Sequence, residues 1–240
     1  MIDGTTPMPT MPAPLARRAE RWFARPAVVT ASRVLSPGLR RVTIVVPGLV
    51  GRAGTAGQEV EFLVSERDFR HYTAACFNPA DGSFDIVFAL HGAGPGSAWA
   101  AGLQPGDPAP VMGPGGGVRW QRPARPVLLG DATAIGLFMA LAADLPPGGE
   151  LSGAVEVPAA DVVATRELLP RLRVLAAEAA PGAALRDWLA AARPLLAEDR
   201  YYLVGHAQTI NTLRALLRDR GATRSNVITK AYWATGRRGL

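Results

Sequence analysis

Arg70, Tyr72 and Thr73 lie within four consecutive positions and could bind one ligand together. Side chains alternate between the two faces of a β-strand, so Arg70 and Tyr72 would share a face if this stretch is a strand. A guanidinium pairs with phosphate through a planar fork of N–H donors, and a tyrosine adds a flat ring with a hydroxyl. Thr73 places a short donor beside them. A purely structural strand could carry the same residues, because short motifs recur without a function.

A second group follows, in which a flexible turn leads into a helix start formed by Gly94, Pro95, Gly96 and Ser97. Before it, the alternation in Phe84–Leu90 predicts a strand with one face in a core, and this strand ends at His91. Ala98–Ala101 then favours a helix. The N–H groups at a helix start, with a serine hydroxyl, could hold a diphosphate. On its own, however, a Gly-Pro-Gly-Ser sequence is typical of an ordinary turn.

The composition is that of a folded protein: 48% of the 240 residues are hydrophobic, which is enough for a packed core. A single cysteine, Cys76, excludes an intrachain disulfide. The three histidines, at positions 71, 91 and 206, lack the spacing of a metal site, so no metal is expected. This cysteine usage, with no signal-like apolar segment at the start, predicts a cytoplasmic location.

The charge balance is basic, with a formal net charge of +6 and 26 basic residues, of which only Lys230 is a lysine. These residues are spread along the chain without an aromatic and basic module, so no nucleic-acid partner is expected. No apolar run approaches the roughly 18 residues of a membrane span, so no membrane partner is expected either. A basic protein does suit an anionic small molecule.

The period of the hydrophobic pattern divides the chain. Residues 1–24 are expected to form a flexible tail. Residues 25–121 hold short apolar runs separated by turns, which predict a small antiparallel β-barrel. The predicted strands include residues 27–29, 42–46, 60–64, 70–73, 84–90 and 109–112.

Beyond the Pro-rich stretch 122–126, strands alternate with helices over residues 122–240. This alternation predicts a parallel sheet with nucleotide-sized crevices at its strand ends. Gly130, Asp131 and Thr133 follow the first predicted strand, and Gly205 and His206 follow a later one. The sequence therefore predicts a β-barrel followed by an α/β domain, a β + α/β fold class.

Taken together, these motifs resemble the siderophore-interacting protein family of FAD-dependent ferric-siderophore reductases, which has a ferredoxin-reductase architecture. The similarity covers roughly residues 27–233. It depends on Arg-x-Tyr-Thr (70–73), Leu-His-Gly (90–92), Gly-Pro-x-Ser-x-Trp-Ala (94–100), Pro-Gly-Asp (105–107), Gly-Pro-Gly-Gly (113–116), Leu-Leu-Gly-Asp-Ala-Thr-Ala (128–134), Val-Glu-Val-Pro (155–158), Leu-Val-Gly-His-Ala (203–207) and Lys-Ala-Tyr-Trp (230–233).

By this resemblance, the barrel would bind FAD and the second domain a nicotinamide nucleotide, with NAD(P)H or ferredoxin as the electron donor. Arg70 would pair with the FAD diphosphate, Tyr72 would lie against the flavin and its ribityl chain, and Thr73 would bond the ring near N5. The phosphate cradle would be completed by His91, Gly94, Pro95, Gly96 and Ser97. The nucleotide crevice would be lined by Gly130, Asp131, Thr133, Gly205 and His206.

Lys230 and Trp233 would contact an anionic ferric siderophore. Each assignment has a plainer alternative: the two strand-end glycines could serve tight packing, Lys230 could be a solvated strand end, and Trp233 could be a core aromatic.

Two positions depart from the family pattern: Ala75 stands where members carry a second arginine, and His206 where they carry glutamate. The main prediction is electron transfer through FAD to siderophore-bound Fe(III), which releases Fe(II). These departures favour a rival, a repurposed scaffold that binds a small molecule or catalyses a non-redox step of secondary metabolism. A third possibility is a flavin reductase that serves a partner protein.

Overall fold

The computed structural model describes residues 11–92, 94–192 and 194–237. They divide into two compact units, one of residues up to 118 and one of residues from 119 onwards, except that residues 139–143 are grouped with the first. The division between Val118 and Arg119 is close to the predicted boundary between residues 121 and 122. In the described parts of the chain, no helix has both the length and the apolar character needed to cross a membrane.

The first unit is built on antiparallel strands, as predicted. Its strands are β1 (Val28–Ser36), β2 (Leu39–Val45), β3 (Glu59–Leu63), β4 (Phe69–Thr73), β5 (Ala75–Asn78), β6 (Ser83–Ala89) and β7 (Met112–Gly115). In the described residues they form a four-stranded sheet, β1-β2-β6-β5, and a three-stranded sheet, β4-β3-β7. Backbone bridges from Arg25 to Val111 and from Val28 to Pro108 continue the pairing between these sheets.

One apolar core lies inside the first unit because alternate residues of the strands point the same way. Val42 and Ile44 of β2 meet Phe84, Ile86 and Phe88 of β6 there, and all five side chains are fully buried. A short helix, α2 (Pro95–Gly102), follows β6. The predicted closing strand at 109–112 is displaced, since Val111 makes only an isolated bridge and β7 begins at Met112.

The prediction of a flexible tail over residues 1–24 is wrong for residues 13–23. Residues 13–23 form a helix, α1 (Ala13–Phe23), and residues 1–10 lie outside the described residues. Its alanines, leucine, arginines and glutamate favour helix strongly, and Pro14 stands in the first turn, where a missing N–H costs nothing. The Met, Pro and Thr composition of the preceding segment does not extend into this stretch.

The second unit is a five-stranded parallel sheet with helices, as predicted. Its elements are β8 (Arg125–Asp131), α3 (Ile135–Ala143), β9 (Ser152–Val157), α4 (Val162–Leu168), β10 (Arg173–Ala176), α5 (Ala183–Ala191), β11 (Asp199–His206), α6 (Ala207–Asp219) and β12 (Val227–Trp233). The strand order is β10-β9-β8-β11-β12. Strands β9 and β10 therefore lie on one side of β8, and β11 and β12 lie on its other side. The strand order reverses at β8, which creates a topological switch point between β8 and β11.

Candidate functional site

Arg70 and Tyr72 lie on β4, which pairs with β3 in the three-stranded sheet. Arg70 is half-buried, and its guanidinium donates to the Phe69 carbonyl at 2.7 Å. Asp68 Oδ1 lies 3.6 Å from Arg70 Nη2, a distance that leaves the ion pair loose. The side chain is thus held in place by near neighbours while it keeps further N–H donors for a ligand.

Tyr72 belongs to an aromatic cluster with Phe62, Phe88 and Trp99. Its ring centroid lies 4.7 Å from that of Phe88 in an edge-to-face arrangement and 6.5 Å from that of Trp99, nearly parallel to it. Burial raises the pKa of the Tyr72 hydroxyl to about 12, although the Arg70 charge lowers it. At neutral pH this hydroxyl therefore stays protonated and can donate a hydrogen bond.

The turn before α2 lies directly against these two side chains. A Cβ atom built on Gly96 would stand 2.5 Å from the Tyr72 hydroxyl and 3.6 Å from Arg70 Cγ. Real side chains do not tolerate the first distance, so only glycine lets the helix start approach the strand this closely. The two predicted groups, twenty-six residues apart at Arg70 and Gly96, thus come together in space.

The start of α2 offers N–H groups, but its serine acts differently from the prediction. Gly94 is the N-cap residue, and Ala98 N donates to Gly94 O in the first helical bond. The N–H groups of Gly96 and Ser97 therefore have no partner within the helix. The Ser97 hydroxyl donates to the His91 carbonyl at 3.0 Å, so it fastens the turn instead of capping the helix. The His91 residue itself is exposed.

Arg40 fixes the opposite end of α2. Its guanidinium donates to the Ala101 carbonyl at 2.8 Å, the Leu103 carbonyl at 2.7 Å and the Ser32 hydroxyl at 2.8 Å, and the residue is buried. Sequence analysis missed this residue. The sequence does carry an indication of its role. Residue 40 shares a face of β2 with the core residues Val42 and Ile44, and an arginine on a core face is unusual.

These residues fit the diphosphate of FAD. A guanidinium, two helix-start N–H groups and a side-chain-free glycine converge there, which is the usual way of holding a dianion. Ala75, at the position of the family's second arginine, is fully buried and offers no charge. Thr73 is also buried, at the end of β4.

A second polar cluster lies at the carboxyl ends of β8, β11 and β12, and Asp131 is its centre. Asp131 Oδ1 accepts from the backbone N–H and the hydroxyl of Thr133. Asp131 Oδ2 accepts from His206 N at 2.7 Å and from the indole N–H of Trp233 at 2.9 Å. The carboxylate thereby joins three strand ends, and both oxygens are already satisfied by the protein.

His206 is equally occupied. Its ring nitrogens lie 2.9 Å from the hydroxyls of Thr209 and Thr235, and only 5% of the residue is exposed. The Trp233 ring stacks on it at a centroid distance of 4.2 Å. The structure thus brings His206 and Trp233 together with Asp131, as partners in an internal network.

The two strand-end glycines allow this network to close. A Cβ on Gly205, where φ is +109°, would lie 2.3 Å from Asp131 Oδ2. A Cβ on Gly130 would lie 2.7 Å from the Val204 carbonyl and 2.9 Å from Ala134 Cβ. Both positions therefore require glycine for packing, the plainer of the two interpretations considered for them.

Glu156, a residue that sequence analysis did not single out, occupies a neighbouring helix start. Its buried carboxylate accepts from Gly182 N at 2.7 Å and Leu185 N at 3.2 Å at the beginning of α5. A carboxylate there uses the same N–H groups and helix dipole that an incoming phosphate would need. The sequence pattern that could have indicated this role is an acidic residue near the end of an otherwise apolar strand.

Lys230 lies on β12 beside Val204 of β11 and is half-buried. It is three residues before Trp233 on the same strand.

Known proteins match both units. Residues 64–118 match the family model described as the siderophore-interacting FAD-binding domain, and residues 123–236 match that of the siderophore-interacting protein. A siderophore utilization protein from T. fusca is 26% identical, with a TM-score of 0.76 over 90% of this chain and 95% of that one. Phthalate dioxygenase reductase, a modular structure for electron transfer from pyridine nucleotides to [2Fe-2S], is 14% identical and shares the fold, with a TM-score of 0.71 over 90% and 70% of the two chains.

A curated relative is the mycobactin import ATP-binding/permease protein IrtA of Mycolicibacterium smegmatis. It is 29% identical over an alignment of 241 positions that covers 88% of this chain but 26% of that protein, so the chain spans about a quarter of its length. The matches to both family models and the ferredoxin-reductase-like fold agree with the motifs of the sequence. The chain belongs to the siderophore-interacting protein family.

Proposed function

We propose that this protein is an FAD-dependent reductase of ferric siderophores. Electrons from NAD(P)H or ferredoxin would reach siderophore-bound Fe(III) through FAD, and one electron per iron would give Fe(II). Hard siderophore oxygens hold Fe(II) less tightly than Fe(III), so reduction releases the metal. The observation that carries the proposal is the contact of Gly96 with Arg70 and Tyr72, which joins a cation, a ring and a helix start.

FAD, when bound, accepts electrons and passes them on singly, so the protein has to supply position and charge. Arg70 and the N–H groups of Gly96 and Ser97 would hold the diphosphate. The protonated Tyr72 hydroxyl would donate to the ribityl side of the flavin, and Thr73 would bond the ring near N5. Lys230 would attract the anionic siderophore from solution.

For the electron donor, we favour a ferredoxin over a nicotinamide nucleotide. Two positions where a nucleotide phosphate would bind, after β8 and at the start of α5, already hold the carboxylates of Asp131 and Glu156. A nucleotide would have to displace these groups against charge repulsion. Anaerobic flavin reduction by reduced ferredoxin, but not by NADH or NADPH, would support this choice, and rapid reduction by either nucleotide would contradict it.

The first test is cofactor content. We expect the purified protein to show oxidised-flavin absorbance and to release FAD. The reduced protein should then transfer electrons to a ferric siderophore, and an Fe(II)-selective chelator would detect the Fe(II) that is released.

In the same assay, Lys230→Ala should raise KM for an anionic siderophore at low salt, and this defect should shrink at high salt.

The rival functions predict different results. A colourless protein that takes up no added FAD would contradict the proposal and favour the repurposed scaffold. A flavin-loaded protein that reduces no ferric siderophore but supplies electrons to a protein would instead favour the flavin reductase. The cytoplasmic location stays a prediction, which fractionation of cells that express the chain would test.

A further inference from the structure

Helix α1 exposes an unusual concentration of large apolar side chains. Leu15 is 53% exposed, Trp22 66% and Phe23 68%, and Met11, just before the helix, is 41% exposed. In the described parts of the chain, nine large hydrophobic side chains are exposed, and Trp22 and Phe23 are the only aromatic ones among them. Leaving two large aromatic rings in water opposes the hydrophobic effect, so this segment is suited to a covering partner.

Leu15 and Trp22 lie on one side of α1, because they are seven residues apart, which is close to two full turns. Phe23 lies about 100° round the helix from Trp22 and is exposed as the last residue of the helix. Ala16 is fully buried and marks the side on which α1 packs, next to β3. The helix is thus attached to the first unit by a small residue, while Leu15 and Trp22 lie on another side and Phe23 is exposed at the helix end.

The rest of α1 is basic. Arg17, Arg18 and Arg21 lie on the helix and Arg25 follows it, whereas Glu20 is its one acidic residue. Arg18 stacks over the Trp22 ring at 4.7 Å, and Arg17 pairs with exposed Glu66 at 3.0 Å. A cation–π contact of this kind leaves the outer guanidinium N–H groups free to bond with anions.

We infer that α1 is a docking helix for the surface of an anionic lipid bilayer. Tryptophan and phenylalanine partition into the boundary between headgroups and acyl chains, and arginines beside them pair with lipid phosphates. Such a helix lies in the plane of the surface, so it needs no membrane-spanning length. This proposal replaces the expectation of no membrane partner, which rested on the lack of a spanning segment. It does not depend on FAD or on electron transfer.

The test is flotation of the full chain with vesicles of phosphatidylcholine, with or without phosphatidylserine. We expect binding to the anionic vesicles, weaker by on the order of tenfold or more without phosphatidylserine and in high salt. Trp22→Ser/Phe23→Ser should weaken binding at least about tenfold, because it removes the apolar insertion. The matched control is Val34→Ser/Val163→Ser, which removes two equally exposed apolar side chains elsewhere and should bind like the wild type.

Circular dichroism and flavin content should be the same for all variants, since the altered side chains are exposed. Three results would overturn the proposal: no binding to anionic vesicles, equal binding by the Trp22 and Phe23 variant, or equal loss in the control. Self-association that Trp22→Ser/Phe23→Ser abolishes, without any vesicle binding, would assign the face to a second copy of the chain instead.

Discussion

The two polar clusters of this protein use similar residues in opposite ways. At the start of α2, Arg70 and the N–H groups of Gly96 and Ser97 surround a position without a side chain. At the ends of β8, β11 and β12, the Asp131 carboxylate accepts hydrogen bonds from Thr133, His206 and Trp233. The first cluster has N–H donors that an anion could use, whereas in the second cluster the carboxylate already accepts hydrogen bonds from the protein. A strand-end position is therefore not evidence of a binding site until its hydrogen bonds are known.

The comparison predicts its largest effect at Asp131. Asp131→Ala leaves the His206 N–H and the Trp233 indole without their acceptor, and we expect the free energy of unfolding to fall by about 3 kcal/mol. The corresponding fall in Tm is roughly 6 to 12 °C in calorimetry. FAD affinity should change less than about twofold, because the first cluster is separate.

Asp144→Ala is the matched control, since Asp144 pairs with exposed Arg122 and with Trp120 in the same unit. It should cost less than about 1 kcal/mol, as surface ion pairs do. An Asp131 variant as stable as the wild type would show that the network is incidental.

Arg70→Ala should have the next largest effect, and this effect should be on FAD affinity and not on stability. Losing a charge-assisted bond to a buried phosphate costs about 1.5 to 3 kcal/mol, so Kd for FAD should rise about 10- to 150-fold in a titration of apoprotein. The Tm of the apoprotein should not change. Arg67→Ala, an exposed arginine of the preceding loop, should leave FAD affinity unaltered. Equal affinity in both variants would remove Arg70 from the site.

A smaller effect is expected at Gly96, where a double mutant can isolate one contact. Gly96→Ala places a Cβ 2.5 Å from the Tyr72 hydroxyl, and relief of this overlap should move the helix start and raise Kd for FAD about tenfold. In the Tyr72→Phe background the next ring atom is 3.8 Å away, an ordinary contact. The alanine should therefore cost little there. Additive effects of the two substitutions would disprove the contact.

The smallest effect concerns pH. Because burial raises the pKa of Tyr72 to about 12, the folded protein keeps a proton that the unfolded chain loses near pH 10. The stability contribution is complete below pH 10 and is lost as the pH rises towards 12. Relative to Tyr72→Phe, the wild type should be unchanged from pH 6 to 9 and lose about 0.8 kcal/mol by pH 10.5 in urea unfolding. The absence of any loss by pH 10.5 would mean that the hydroxyl titrates in the folded protein as it does in the unfolded chain, as a hydrated hydroxyl would.

The sequence predicted elements well where the hydrophobic period was clear. Strand β6 and the β8–α3 segment were confirmed, although β6 is buried on both faces and not on one, as its alternation predicted. Besides α1, two elements were missed. β5 is four residues long and includes Cys76 at φ +48°, which breaks the strand pattern, and α4 begins with two β-branched valines, which favour strands.

The candidate site was predictable in its parts but not in its contacts. Arg70 and the Gly96 turn were both identified, whereas their approach depends on how α2 folds back on β4. The bonds that occupy Asp131 come from residues 75 and 102 positions away, at His206 and Trp233, and no local pattern indicates them. Local sequence therefore predicted which groups are polar, and only the three-dimensional structure shows which of them are already satisfied.

The Arg40 contacts at the far end of α2 have a consequence for how a ligand binds. Because one buried guanidinium ties the last carbonyls of the helix to the β1–β2 hairpin, the helix start is held in position by the barrel itself. If the proposed site is correct, a diphosphate would meet donors that are already aligned, and little conformational entropy would be lost on binding. The affinity of such a site would then be set partly at the other end of the helix, by Arg40.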